Sequence, residues 1–151
     1  MVAAIRPHSI DFALLFHVLG AMVLVGGLIT ASGMAIVGWR DGTDTLRKLS
    51  YRTLLYVAFP GYILMRVCAE WVASKEHLNN LANDPSWLGI GYVTADGGGV
   101  LLLIALIVGG IGLRKSRNGG GGTLLKVSSV IATLIVAVYV VAIWAMGAKP
   151  V

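Results

Sequence analysis

The sequence predicts an all-α membrane protein, a four-helix transmembrane bundle running up-down-up-down with both termini on the outer side. Three observations predict it. Four apolar stretches, roughly Ile10 to Trp39, Tyr51 to Ala73, Trp87 to Leu113 and Val127 to Met146, fill most of the 151 residues. Each is about 20 residues or more, the length an α-helix needs to cross about 30 Å of hydrocarbon. The composition, 57% hydrophobic and 13% charged, gives more apolar surface than a soluble domain of this size can hide in one core. Lastly, the basic residues gather in alternate connections, which sets the direction of each helix. One integral domain covers residues 1–151, and its solvent is the lipid bilayer.

The first helix is expected over about 10–39. A cleaved signal peptide would have an apolar core of about 7 to 15 residues. The uncharged run from Phe12 to Trp39 is about twice that and ends in Arg40, so the helix is expected to stay. Its connection, 40–52, carries Arg40, Arg47, Lys48 and Arg52, and the connection after the third helix, 114–126, carries Arg114, Lys115, Arg117 and Lys126. The other ends carry only Arg6, Lys75 and Lys149, so the positive-inside bias places 40–52 and 114–126 in the cytoplasm. The net charge of +5 is then a topology signal, and no nucleic-acid partner is needed to explain it. Trp71, Trp87 and Trp144 fall at outer helix ends and Trp39 at an inner end, as interfacial aromatics should.

The second helix, about 51–73, contains Pro60-Gly61, which predicts a kink. The link from Ser74 to Ser86 is the longest polar connection and too short for a catalytic domain, and its Asn80 heads no glycosylation sequon. The third helix, about 87–113, contains Thr94-Ala95-Asp96-Gly97-Gly98-Gly99, a run expected to weaken or open the helix, acceptable in lipid only against protein or water. The fourth, about 127–146, has Ser128, Ser129, Thr133 and Tyr139 as its notable polar groups and is expected to pack and seal. Cys68 is the single cysteine, which excludes an internal disulfide and a multi-cysteine metal site.

Four ionisable groups lie within the expected spans: His17, Arg66, Glu70 and Asp96. A charge in hydrocarbon costs a few kcal/mol, so each should find a partner, face the bundle interior or snorkel. At 1.5 Å per residue, His17 lies roughly 10 Å below Ile10, Arg66 roughly 8 Å below Trp71 and Asp96 roughly 13 Å below Trp87. All fall in the outer half. Arg66 and Glu70 are spaced i,i+4 with Tyr62 one turn below, and Tyr92 stands one turn from Asp96. Arg66 is therefore expected to pair with Asp96 across the second and third helices.

Each of these residues has a structural and a functional reading. Arg66, Glu70 and Asp96 either hold the bundle together or line an ion pathway. His17 either bonds a neighbouring hydroxyl or serves a ligand. Gly20, Gly27 and Ala31, near the face of His17, suit a bulky cofactor or a tight helix pair equally well.

His17-Val18-Leu19-Gly20-Ala21 with Gly26-Gly27, the basic residues after the first helix and Phe59-Pro60-Gly61 resemble the DUF2269 family of small integral membrane proteins, itself similar to the copper-resistance D (CopD) group. The resemblance covers about the first half of the chain. It implies a four-helix bundle in a bacterial inner membrane, with His17 as the shared position and heme b or copper as its ligand. The chain departs from a bis-histidine cytochrome, because His8 and His77 lie outside the spans. A second axial ligand would come from Met65, from Met22 or from His17 of another subunit.

Three functions follow as expectations: a heme or copper protein centred on His17, an ion- or proton-coupled transport subunit using Asp96 and Arg66, and a non-catalytic subunit of a homo-oligomer or larger membrane complex. No hydrolytic triad, phosphate loop or catalytic carboxylate pair is visible, which points away from an enzyme.

Overall fold

The computed structural model describes residues 8–75 and 86–148, and they form four helices: α1 His8–Arg40, α2 Asp44–Lys75, α3 Ser86–Ser116 and α4 Gly122–Ala148. All four are long and apolar enough to cross a membrane, and only 22% to 39% of each apolar window is buried inside the bundle. The rest, including Phe12, Leu15, Ile29, Val93, Ile107 and Val141, forms an apolar exterior that only lipid or another membrane protein can cover.

Both tight turns differ from the expected loops. The link between α1 and α2 is only residues 41–43, so Arg47, Lys48 and Arg52 stand on the first turns of α2 rather than in a loop 40–52. Those turns are polar because they extend past the hydrocarbon, and a reading by apolar run cannot see them. Gly42 makes the reversal with φ 69°, and the Thr43 N–H donates to the Gly38 carbonyl at 2.9 Å. The second turn is 117–121 rather than 114–126, with Gly119 and Gly121 at positive φ. The link between α2 and α3, with His77 and Asn80, lies outside the described residues at 76–85, as do Arg6 and Lys149.

In α2 the turn Leu54–Ala58 is π-helical, and the Phe59 N–H reaches back to the Leu54 carbonyl. Pro60 has no N–H to offer the preceding turn, and the wider turn beforehand absorbs that loss. The expected kink site is therefore a π-bulge one turn before the proline.

The bundle is two helical hairpins, α1/α2 and α3/α4, joined mainly by α1 against α4. Within the first hairpin, backbones almost touch. A Cβ on Gly20 would stand 2.5 Å from the Met65 nitrogen, and one on Gly61 would stand 2.7 Å from the Leu24 nitrogen. The core is apolar, built on Leu24, Leu28, Leu54, Leu102, Leu106 and Ile135. Across it, Ser50 Oγ donates to the Ala31 carbonyl at 2.7 Å, Ser128 Oγ to Ala105 at 2.7 Å and Tyr51 Oη to Leu106 at 3.2 Å. Small side chains and hydroxyl-to-carbonyl bonds are how helices adhere where lipid offers no hydrophobic drive.

Candidate functional site

Beyond Phe59, α2 barely approaches α3, and long side chains fill the space between them. Tyr62 lays its hydroxyl where a side chain on Gly99 would stand. Tyr139, from α4, does the same at Gly98, its hydroxyl 2.8 Å from the position a Cβ would take. The glycine run of α3 therefore leaves the helix unbroken: it is a pair of sockets for tyrosines rather than an unwound segment. Gly97 faces open space beside Asp96.

Above these tyrosines, toward the end that carries the chain termini, lies the ionic group. Arg66 Nη2 bonds Asp96 Oδ1 at 2.9 Å, and Nη1 bonds the Glu70 carboxylate one turn along α2. The Arg66 guanidinium carbon also lies 5.5 Å from the centre of the Tyr92 ring. The expected pair across α2 and α3 is formed, and one guanidinium serves two carboxylates. Arg66 is 25% exposed, Glu70 50% and Asp96 59%, so the acids are the outward groups of a groove whose floor is tyrosine. At that floor the Tyr139 hydroxyl is buried with no hydrogen-bond partner among the described residues.

His17 finds its hydrogen-bond partner outside this group. Its Nδ1 bonds the Met65 carbonyl at 2.9 Å. A carbonyl only accepts, so Nδ1 carries the proton, and the partner is backbone rather than the expected hydroxyl. Met65 is buried in the core at 6% exposure, and Gly20, one turn from His17, is in backbone contact with it. The small residues of α1 expected near the face of His17 are thus used in helix contact: Gly27 lies against Ala58, and Ala31 receives Ser50. A macrocycle between His17 and Met65 does not fit that contact. Met22 points outward, and no group of three or more His, Cys, Asp or Glu side chains converges among the described residues.

Comparison with protein-family models, curated proteins and solved structures finds no match to this chain. The site's meaning therefore rests on its own geometry.

Sequence reasoning found Arg66, Glu70, Asp96, Tyr62 and Tyr92 from their spacing. It missed Tyr139 as part of the same group. The available signal was numerical: three adjacent glycines on one helix make sockets, and tyrosines elsewhere are what fills them.

Proposed function

We propose that the chain is an ion- or proton-binding subunit of a membrane assembly, with Asp96 and Glu70 as the working groups and Arg66 as the cation they share. The observation that carries this reading is the charge balance of the groove. One guanidinium faces two half-exposed carboxylates, leaving one negative charge for a proton, a metal cation or a cationic partner to neutralise. The Tyr139 hydroxyl at the floor adds an unused donor and acceptor.

The bundle's own centre is not the route of transport in this proposal. Beneath the tyrosines the core is Leu24, Leu28, Leu54, Leu102 and Ile135, and the hydroxyls of Ser50, Tyr51 and Ser128 are engaged with carbonyls. A path across the membrane would then run between copies of the chain or between this chain and a larger partner. The basic turn end favours both termini on the outer side. The resemblance drawn from the His17 and Pro60 motifs favours a bacterial inner membrane.

The test is flux of protons and monovalent cations into proteoliposomes of the purified chain and of any complex that co-purifies with it. The reading expects flux or cation binding that Asp96→Asn and Glu70→Gln each reduce at least tenfold. Variants that move ions as the wild type does overturn it.

One observation favours a second reading. Nδ1–H bound to a carbonyl leaves Nε2 as the free lone pair of His17, the arrangement used by metal-bound histidines. Copper or a heme iron would then approach His17 from the side away from Met65. Purified protein with an absorption band or bound copper that His17→Ala abolishes supports it, and colourless, copper-free protein defeats it.

A further inference from the structure

The outward face of α3 carries a seam that the bundle itself does not use. Val93, Gly97, Val100, Ile104 and Ile107 follow one another at steps of four, three, four and three residues, the spacing at which one helix lies along another. All five are exposed, the valines and isoleucines at 42% to 75%. Those four are β-branched and hold one preferred rotamer in a helix, so they present a fixed relief to a neighbour. At Gly97 an added Cβ would meet nothing within 4 Å, whereas Gly98 and Gly99 beside it are filled by Tyr139 and Tyr62. A second backbone has room to come close at Gly97.

Open glycines also stand on α1, at Gly26 and Gly33. What distinguishes Gly97 is the charge next to it. Asp96 flanks the seam with its side chain 59% exposed, the position that carries pairing charges beside a helix seam. Arg66 is divided between Asp96 and Glu70, so the two acids keep a surplus negative charge at the edge of the seam. Lys75, the next cation along α2, is exposed at the very end of the helix, within reach of water. A second copy of this chain does not answer that charge. Face to face it would bring Asp96 against Asp96, and among the described residues in the outer half of the spans its only cation is the same divided Arg66. Like charges facing each other in lipid repel.

We infer that this face of α3 docks a transmembrane helix of another membrane protein, one that carries a lysine or arginine at the depth of Asp96. The partner's cation joins the carboxylate oxygens that Arg66 leaves free, and its backbone seats at Gly97. Such a pair exchanges a charge facing lipid for a matched one, which selects this partner over purely apolar helices. The inference rests on the same charge balance as the ion-binding reading and commits to the cationic partner as what neutralises it.

The full chain is tested in phosphatidylcholine vesicles with a donor dye at its N-terminus. The probe is an acceptor-labelled alanine and leucine transmembrane peptide with one lysine about two residues inside its outer boundary. A second peptide has leucine in place of that lysine. Energy transfer above random mixing should need about tenfold less of the lysine peptide, the gain from one polar contact between membrane helices. Asp96→Asn should remove that preference. Gly97→Leu, at an exposed position with open space, should weaken lysine-peptide binding about tenfold, and Gly26→Leu on α1 should leave it unchanged. Equal transfer with both peptides, a preference that survives Asp96→Asn, or equal effects of Gly97→Leu and Gly26→Leu overturns the inference. Transfer between copies of the chain without peptide, abolished by Gly97→Leu, assigns the face to a second copy and overturns it as well. Flux judges the ion reading separately. Ions taken up by a chain indifferent to the lysine peptide overturn this inference alone, and lysine-peptide binding by a chain that neither moves nor binds ions overturns that reading alone.

Discussion

Replacing Gly20 by alanine tests how closely α1 and α2 pack, and with it whether any space for a cofactor exists beside His17. The new methyl carbon would stand 2.5 Å from the Met65 nitrogen, 2.9 Å from its Cα and 3.0 Å from the Gly61 carbonyl oxygen. All three are backbone atoms, so no rotamer change relieves the overlap. The helices must separate by roughly 1 Å to restore ordinary contact distances. That movement would stretch the 2.9 Å His17 bond to Met65 to roughly 4 Å, beyond hydrogen-bond range. Overpacking costs about 1–3 kcal/mol, and an interhelical bond in a membrane protein averages about 0.6 kcal/mol, so Gly20→Ala should cost about 2 kcal/mol. Gly61→Ala and Gly27→Ala should follow in that order, with nearest approaches of 2.7 and 3.0 Å. Gly26→Ala and Gly33→Ala meet nothing within 4 Å and should be neutral or slightly stabilising through helix propensity. Reversible unfolding in mixed micelles of increasing dodecyl sulfate content, followed by circular dichroism, measures the series. Gly20→Ala unfolding at the same point as Gly26→Ala would refute the close contact and reopen the space beside His17.

Two further substitutions examine the groove. Tyr139→Phe removes a buried hydroxyl that has no partner among the described residues, so stability in the same assay should stay equal or rise by up to about 1 kcal/mol. A loss of that size would show that the hydroxyl holds a water or an ion. For the ion pair, Arg66→Ala, Asp96→Ala and the double variant form a thermodynamic cycle with an expected coupling of about 1 kcal/mol, modest because Asp96 is 59% exposed and Arg66 keeps Glu70. Strict additivity would mean that the contact contributes no stability.

The number of helices and the Arg66 to Asp96 pairing were legible because both follow from one rule, the cost of polar groups in hydrocarbon. Twenty apolar residues announce a span, and two opposite charges at one depth announce each other. The first turns of α2 were illegible for the converse reason, since Asp44 to Ser50 extend past the apolar layer and lose the signature. The glycines were ambiguous because a missing side chain records that something approaches without recording what. At Gly20 it is the backbone of Met65, at Gly99 a tyrosine ring, and at Gly97 nothing. His17 was legible as a residue needing a partner, but its acceptor is a main-chain carbonyl, which no residue identity could signal.

The depth of the ionic group follows from the length of the helices against the thickness of the membrane. The innermost basic residues at the turn end are Arg40, Arg52, Arg114 and Lys126, one on each helix. With these set at one hydrocarbon boundary, about 20 residues of helix bring the other boundary near Val72, Thr94 and Met146, while the apolar span of α1, Phe12–Arg40, is longer and fits the same thickness by tilting. Trp71 and Trp144, both exposed, fall beside that second boundary, as interfacial indoles should. Asp96 and Glu70 are then about 3 Å inside it and Arg66 about 9 Å. This explains how two acids stay half-exposed on an apolar bundle: headgroup water reaches them, while the long arginine side chain reaches up to join them. Charges at both ends hold this register, because sliding the bundle one way draws Asp96 and Glu70 into hydrocarbon and sliding it the other way draws in Arg40, Arg52, Arg114 and Lys126. On the proposed ion-binding reading, a groove wetted from one side and closed beneath by Tyr62, Tyr139 and the leucine core would take up an ion from one face, and its release to the other face would require a second protein surface.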